Sequence, residues 1–225
     1  MPRPEKLRSN HLVAATNALA PPRGRRRSVD RDTVIETALR IVDEEHLGAL
    51  TMRRLAEELG VGIATVYAAA GDKEEILNAV VELILSEAPI VSVDPGRWEA
   101  EIIDLLCAIH DVFVNHPDVA HLALLRRITG PIALRTQETI LLLLRAGGLE
   151  GDALTTAYTS LTSYVMGFSM LRISRIDEGR KVEDALGEHP TNEFPEVRAF
   201  APELARQMST DGFLEGLRHL VHSFA

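Results

Sequence analysis

Residues 51–73 read TMRRLAEELGVGIATVYAAAGDK, and the reading of this stretch decides the fold. On a helical period, Met52, Leu55, Ala56 and Leu59 share one stripe, while Arg53, Arg54, Glu57 and Glu58 share the other. Gly60 ends that helix, because glycine enters the left-handed conformation without a Cβ clash. Only Val61 and Gly62 separate it from a second short helical run, Ile63 to Ala69. Two short helices joined by a tight, glycine-containing turn form a helix-turn-helix, whose second helix can enter the major groove of DNA. Asp72 to Glu75 (DKEE) then reads as a capping box that opens another helix. An ordinary helical hairpin would show the same turn, so the turn alone leaves scaffold and DNA binder equally open.

Working outward, the first helix starts with Asp30 as N-cap and with Val29 and Val34 placed as a hydrophobic staple. Val34, Ala38, Ile41 and Val42 make its buried stripe. The helix opened at Asp72 runs to about Ala88 and carries Ile76, Leu77, Val80, Val81, Ile84 and Leu85. Pro89 to Gly96 (PIVSVDPG) is a boundary. The division expected is a disordered basic arm over 1–27, a helix-turn-helix domain over 28–88 (motif 51–70) and a helical regulatory domain over 95–225.

The chain of 225 residues can bury a real core, and 46% hydrophobic with 4% aromatic residues suits a leucine- and alanine-rich helical protein. The single cysteine, Cys107, excludes an intramolecular disulfide and a cysteine-rich metal site. No apolar run approaches the roughly 18 residues that span a bilayer. The apolar stretch Leu12 to Ala15 is too short for a signal-peptide core, so a cytoplasmic protein with no membrane partner is expected.

The net charge of −9 looks wrong for a DNA binder until its distribution is read. Residues 1–27 carry +6, residues 28–88 carry −8, and residues 89–225 carry −7. The positive charge sits in one proline-containing arm beside the helix-turn-helix, where Arg23, Arg25, Arg26 and Arg27 can reach a phosphate backbone or a minor groove.

The wording of the central stretch also resembles the N-terminal domain of the TetR family of one-component bacterial regulators. The resemblance rests on Thr51, on LAEELGV from Leu55 to Val61, on Tyr67 and on Lys73, and it extends from about Asp30 to about Leu85. It implies phosphate contacts from Tyr67 and Lys73. The chain departs from the family pattern at Ala68, Ala69 and Ala70, which stand where a polar residue, a histidine and an aromatic are usual. The first helix ends near His46, where the family has glycine, so His46 is expected in the left-handed conformation at some cost.

Chemistry adds further candidates. Thr51 can cap its helix and donate to a phosphate, and Arg53 and Arg54 can pair with phosphates unless Glu57 and Glu58 neutralise them. Gly62, Ile63, Ala64 and Thr65 lie at the start of the recognition helix, where base edges are reached. Ala64 and the Thr65 methyl can meet a thymine methyl, and the Thr65 hydroxyl can hydrogen-bond. The run carries no Arg, Lys, Asn or Gln, so bidentate base readout is absent from it. Phosphate contacts, DNA shape and the arm would then carry much of the affinity.

Beyond the boundary every segment reads as helix: about 97–115, 118–128, 132–146 and 152–175, with 176–200 as a loop. The helix over 152–175 is apolar on every side from Tyr164 to Ile173, so its outer face is expected to meet another subunit. The run from Pro202 carries Phe213, Leu214, Leu217, Leu220 and Val221, a stripe suited to an intersubunit four-helix bundle. The stretches 97–116, 158–170 and 211–224 look like the regulatory domain of the tetracycline-repressor-like subgroup. That likeness implies a homodimer with a ligand cavity in each helical domain. Tyr158, Thr162 and Met166 share a face and, with Phe113 and His110, could line a mostly apolar cavity, although for any one of them simple core packing is the favoured reading.

His110, His116 and His121 lack metal-site spacing, and no nucleophile–base pair or phosphate loop occurs. No catalytic residue, metal or cofactor is therefore expected. The expectation is an all-α regulator: a dimeric repressor that binds a near-palindromic double-stranded DNA operator and is released by a small-molecule effector. The alternative is a helical carrier or enzyme with a degenerate DNA-binding head, and a pure dimerisation scaffold is a third possibility.

Overall fold

The computed structural model describes residues 28–89, 93–126, 129–178 and 193–225, with side chains of the third segment described up to Ser174. The basic arm 1–27 lies outside the described residues, and Arg23, Arg25, Arg26 and Arg27 lie with it. So do residues 90–92 of the expected boundary, Ile128 at the expected end of the sixth helix, and residues 179–192 of the expected loop. Among the described residues every regular element is helical.

Helix α1 (Arg31–Glu44) starts where Asp30 accepts a hydrogen bond from the Thr33 amide at 2.8 Å. It buries Val34, Ile35, Ala38, Ile41 and Val42. His46 follows with φ 136° and ψ 164°. The positive φ is the one expected where a glycine would sit, but the extended ψ places His46 outside the left-handed helical region. Its imidazole Nδ1 accepts from the Ala49 amide at 3.1 Å and caps the 3₁₀ turn Leu47–Ala49. Helix α2 (Met52–Leu59) is capped by Thr51 and closed by Gly60, whose φ of 64° and ψ of 34° are left-handed. Helix α3 (Ile63–Ala70) follows after Val61 and Gly62. Helix α4 (Lys73–Leu85) opens on a complete capping box between Asp72 and Glu75, with both bonds at 2.9 Å.

The remainder comprises α5 (Trp98–Asn115), α6 (Pro117–Leu125), α7 (Pro131–Ala146) and α8 (Gly151–Glu178), then α9 (Pro195–Ala199), α10 (Ala201–Gln207) and α11 (Thr210–His222). Helices α5, α7, α8 and α11 pack together as the body of this half, and α4 packs against α5, α6 and α7. Helix α9 corrects the loop expected over 176–200: Pro195 supplies a first-turn residue whose missing N–H costs nothing there.

The C-terminal run is two helices because Ser209 interrupts it, its hydroxyl accepting from the Gly212 amide at 3.1 Å. A Cβ on Gly212 would fall onto the Gln207 carbonyl, so the tight junction needs glycine. The stripe assigned from sequence to another subunit is largely used at home. Phe213, Leu217 and Val221 are buried within the protomer, because α11 lies against α5 and α8. On α8, by contrast, Ser163, Gly167 and Leu171 face outward and exposed.

Several bonds join the first four helices to the body. The Leu47 amide donates to Asp118 at 2.6 Å. His116 faces Asp43 at 2.9 Å and Glu87 at 3.3 Å. Glu82 of α4 accepts from the amides of Ile132 (2.7 Å) and Ala133 (3.0 Å), capping the start of α7.

Candidate DNA-facing helix and ligand cavity

Helix α3 is held from behind and bare in front. Val66 and Ala70 are buried, whereas Gly62, Ile63, Ala64, Tyr67 and Ala68 are exposed and Thr65 is half-buried. Of the residues expected at base edges and phosphates, Gly62, Ala64 and Tyr67 are thus exposed and Thr65 is partly so, and none of them carries charge. A Cβ on Gly62 would meet nothing within 4 Å, so the approach to this helix end is open. Tyr67 is 49% exposed, which is high for an aromatic residue. Thr51 is exposed and its hydroxyl accepts from the Arg54 amide at 3.0 Å, leaving its proton for another acceptor. Lys73 is half-buried at the first position of α4, where the helix dipole disfavours a cation.

The arginines beside this face are paired. Arg53 reaches Glu57 at 2.8 Å, and Arg54 reaches Glu45 at 2.7 Å and also Glu58. Arg40 completes the cluster through Glu44 and Glu58. The Glu57 carboxylate holds the Arg53 guanidinium above its usual range, and Glu45 and Glu58 do the same for Arg54. Arg53 must therefore leave Glu57 before it contacts a phosphate. The pairing raised from sequence as a possibility is present.

A cavity of about 290 Å³ lies among α4, α5, α6, α7 and α8. Phe113, Tyr158, Thr162 and Met166, drawn from two distant segments, all line it. Leu85, Leu106, Ile109, Ile140 and Val165 make the wall mostly apolar, and Thr136, Gln137 and Arg126 add polar groups. Burial pushes the Tyr158 hydroxyl above its usual range, so the cavity holds it as a neutral donor. A smaller recess of about 100 Å³ shares Leu85 and Thr136 with it.

His110 is not among the lining residues. It is buried between α5, α8 and α11, with its ring stacked on Phe213 at 3.9 Å and Nδ1 at 2.8 Å from the Ser169 hydroxyl. The core-packing alternative describes it. His116 and His121 turn elsewhere, His121 to the Pro117 carbonyl at 2.8 Å. Arg126, Thr136 and Gln137 were not singled out from sequence. They flank the Gly130–Pro131 break, and only the packing of α6 and α7 against α4 brings them to the cavity.

Comparison with known proteins agrees with this fold. Residues 34–80 match the family model "Bacterial regulatory proteins, tetR family", and residues 92–222 match "Tetracyclin repressor-like, C-terminal domain". The chain is similar to the HTH-type transcriptional repressor DrrR1 of Streptomyces coeruleorubidus, at 30% identity over 72% of this chain and 60% of DrrR1. It thus spans less than two thirds of that relative. It is 27% identical to the class G tetracycline repressor of Vibrio anguillarum, over 87% of this chain and 93% of that one. The structure of ActR from Streptomyces coelicolor in complex with (S)-DNPA superposes with a TM-score of 0.76 at 30% identity, covering 88% of this chain and 98% of ActR. ActR has also been crystallised with actinorhodin. The chain is a member of the TetR family of bacterial transcriptional regulators.

Proposed function

We propose that the protein is a homodimeric repressor that leaves a near-palindromic operator when a small molecule fills the cavity. The observation that carries this reading is the shared element α4. Its first turn follows the DNA-facing helix directly, and Leu85 at its end lines the cavity. A guest that moves this wall moves the head, and two heads that no longer match half-sites about 34–36 Å apart release DNA. Within the cavity Phe113, Tyr158, Thr162 and Met166 are the proposed ligand contacts. On the DNA side the proposed contacts are Thr51, Arg53, Gly62, Ala64, Thr65, Tyr67 and Lys73, with Arg25, Arg26 and Arg27 of the arm. The domain division at 28–88 and 95–225 and a cytoplasmic location belong to the same proposal. Among the described residues no helix is long and apolar enough to cross a membrane.

Homodimerisation is supported by the α8 face: Thr159, Ser163, Gly167 and Leu171 form an exposed stripe at four-residue spacing. The pairing of Arg40, Arg53 and Arg54 with glutamates favours a second reading, a carrier with a degenerate head. Fluorescence anisotropy separates the two, using the full chain against the DNA upstream of its own gene and a random duplex at matched salt. Tighter binding to the upstream DNA is expected. Ligand binding with no DNA affinity even at low salt would favour the carrier. Replacing Arg23 and Arg25–Arg27 by alanine should weaken binding and flatten its salt dependence, and an unchanged slope would remove the arm from the interface.

A further inference from the structure

The cavity lining contains one ionised side chain among the described residues, and that side chain also holds α4. Arg126 follows the last residue of α6 and its side chain is only 24% exposed. Its Nη1 lies 2.6 Å from a carboxylate oxygen of Glu74 and 3.4 Å from the side-chain Oδ1 of Asn78, both on α4. Glu74 stands in the first turn of that helix, two residues after the capping Asp72, and is 65% exposed. The rest of the wall is apolar or neutral, with Tyr158, Thr162, Thr136 and Gln137 as its hydrogen-bonding groups.

A guanidinium carries several donors in one plane and pairs best with an oxyanion. An anionic group that enters this cavity meets a single cation and no carboxylate in the lining. A neutral apolar guest leaves the guanidinium on Glu74, whereas an acidic guest offers it a less hydrated partner. The Arg126 hydrogen bond already holds the Glu74 carboxyl below the usual carboxylate range, so Glu74 is the group a guest must outcompete.

Resting on the reading of this cavity as the effector site, we propose that its ligand is an apolar organic acid anchored by Arg126. The guest's anion competes with Glu74 for the guanidinium and so loosens the end of α6 from the first turn of α4. The anchor and the latch to the head are one side chain.

The test uses two fluorescent probes that share an arylamine body, the sulfonate 1-anilinonaphthalene-8-sulfonate and the uncharged N-phenyl-1-naphthylamine. Both are titrated against the full-length wild type, Arg126→Gln and Glu74→Gln. The wild type is expected to bind the sulfonate at least about tenfold more tightly than the neutral probe, at one competitive site per chain. Arg126→Gln should erase that preference and leave neutral-probe affinity within about twofold. Glu74→Gln, which removes the competitor, should tighten sulfonate binding by about two- to fivefold. Neutral-probe binding reports that the cavity of each variant is intact. If the neutral probe binds and the sulfonate is no tighter, or Arg126→Gln leaves the sulfonate unaffected, the anion anchor is overturned while the cavity reading stands. If neither probe binds the wild type, the cavity reading falls, and this proposal with it.

Discussion

At the scale of single residues, burial decides roles that composition leaves open. His110 sits on the same helix as cavity-lining Phe113, yet it points into the aromatic cluster of Phe168 and Phe213. Burial lowers its affinity for a proton, with Arg172 adding to that effect and Asp111 opposing it. The folded state therefore binds a proton at His110 less readily than the unfolded chain, whose imidazole titrates near 6.5. Stability from this group is complete above that value and is lost as the pH falls through it toward the lower folded value. Urea denaturation at about pH 7 and about pH 5 should show a smaller acid loss in His110→Gln, which keeps a partner for Ser169, than in the wild type. Equal losses would show that His110 is not buried neutral. His46 makes a related point, since a side-chain cap on Ala49 holds a non-glycine residue at φ 136°. Such a backbone position costs on the order of 1–3 kcal/mol.

At the scale of elements, α4 does most to join the two halves. Its start is fixed by the capping box, its buried stripe of Ile76, Leu77, Val80, Val81 and Ile84 packs inward, and half-buried Glu82 reaches α7. Two α7 amides with no intrahelical partner depend on that carboxylate. A Cβ on Gly130 would meet the Glu82 carboxylate, so a side chain there would push that carboxylate off the two amides. Glu82→Ala should destabilise the fold by about 1–2 kcal/mol, the typical cost of losing such a cap. Chemical denaturation measures the loss, and an unchanged midpoint would mean that water replaces the carboxylate. The helix-turn-helix itself was legible because its signals are local. Thr51, Gly60 and the Asp72–Glu75 box act within four residues of where they stand. Helix α9 was missed because a short segment with Pro195, Phe194 and exposed charges shows no period long enough to read.

At the scale of the whole molecule, the exposed α8 stripe is the contact face of the proposed dimer. Gly167 is exposed and a Cβ on it would meet nothing within 4 Å, so a substituent there points to solvent in the isolated protomer and replaces a poor helix former. It would wedge apart two copies of α8 packed face to face, because close helix approach needs small residues at the contact. Gly167→Phe should keep full helicity and sediment as a monomer at concentrations where the wild type sediments as a dimer. A variant that remains dimeric would place the interface elsewhere.

The sequence by itself determined the all-helical class, the helix-turn-helix, its caps and most helix ends, since periodicity, capping side chains and glycine or proline breaks act over a few residues. It also brought Tyr158, Thr162 and Met166 forward through a shared helical face, with Phe113 named beside them. Only the tertiary structure decided that His110 belongs to the aromatic core and that Phe213, Leu217 and Val221 are buried at home. It also decided that Arg126 and Glu82 fasten α6 and α7 to α4. Those outcomes depend on which helix lies across which, and residues about 50 positions apart carry no local sign that they will meet.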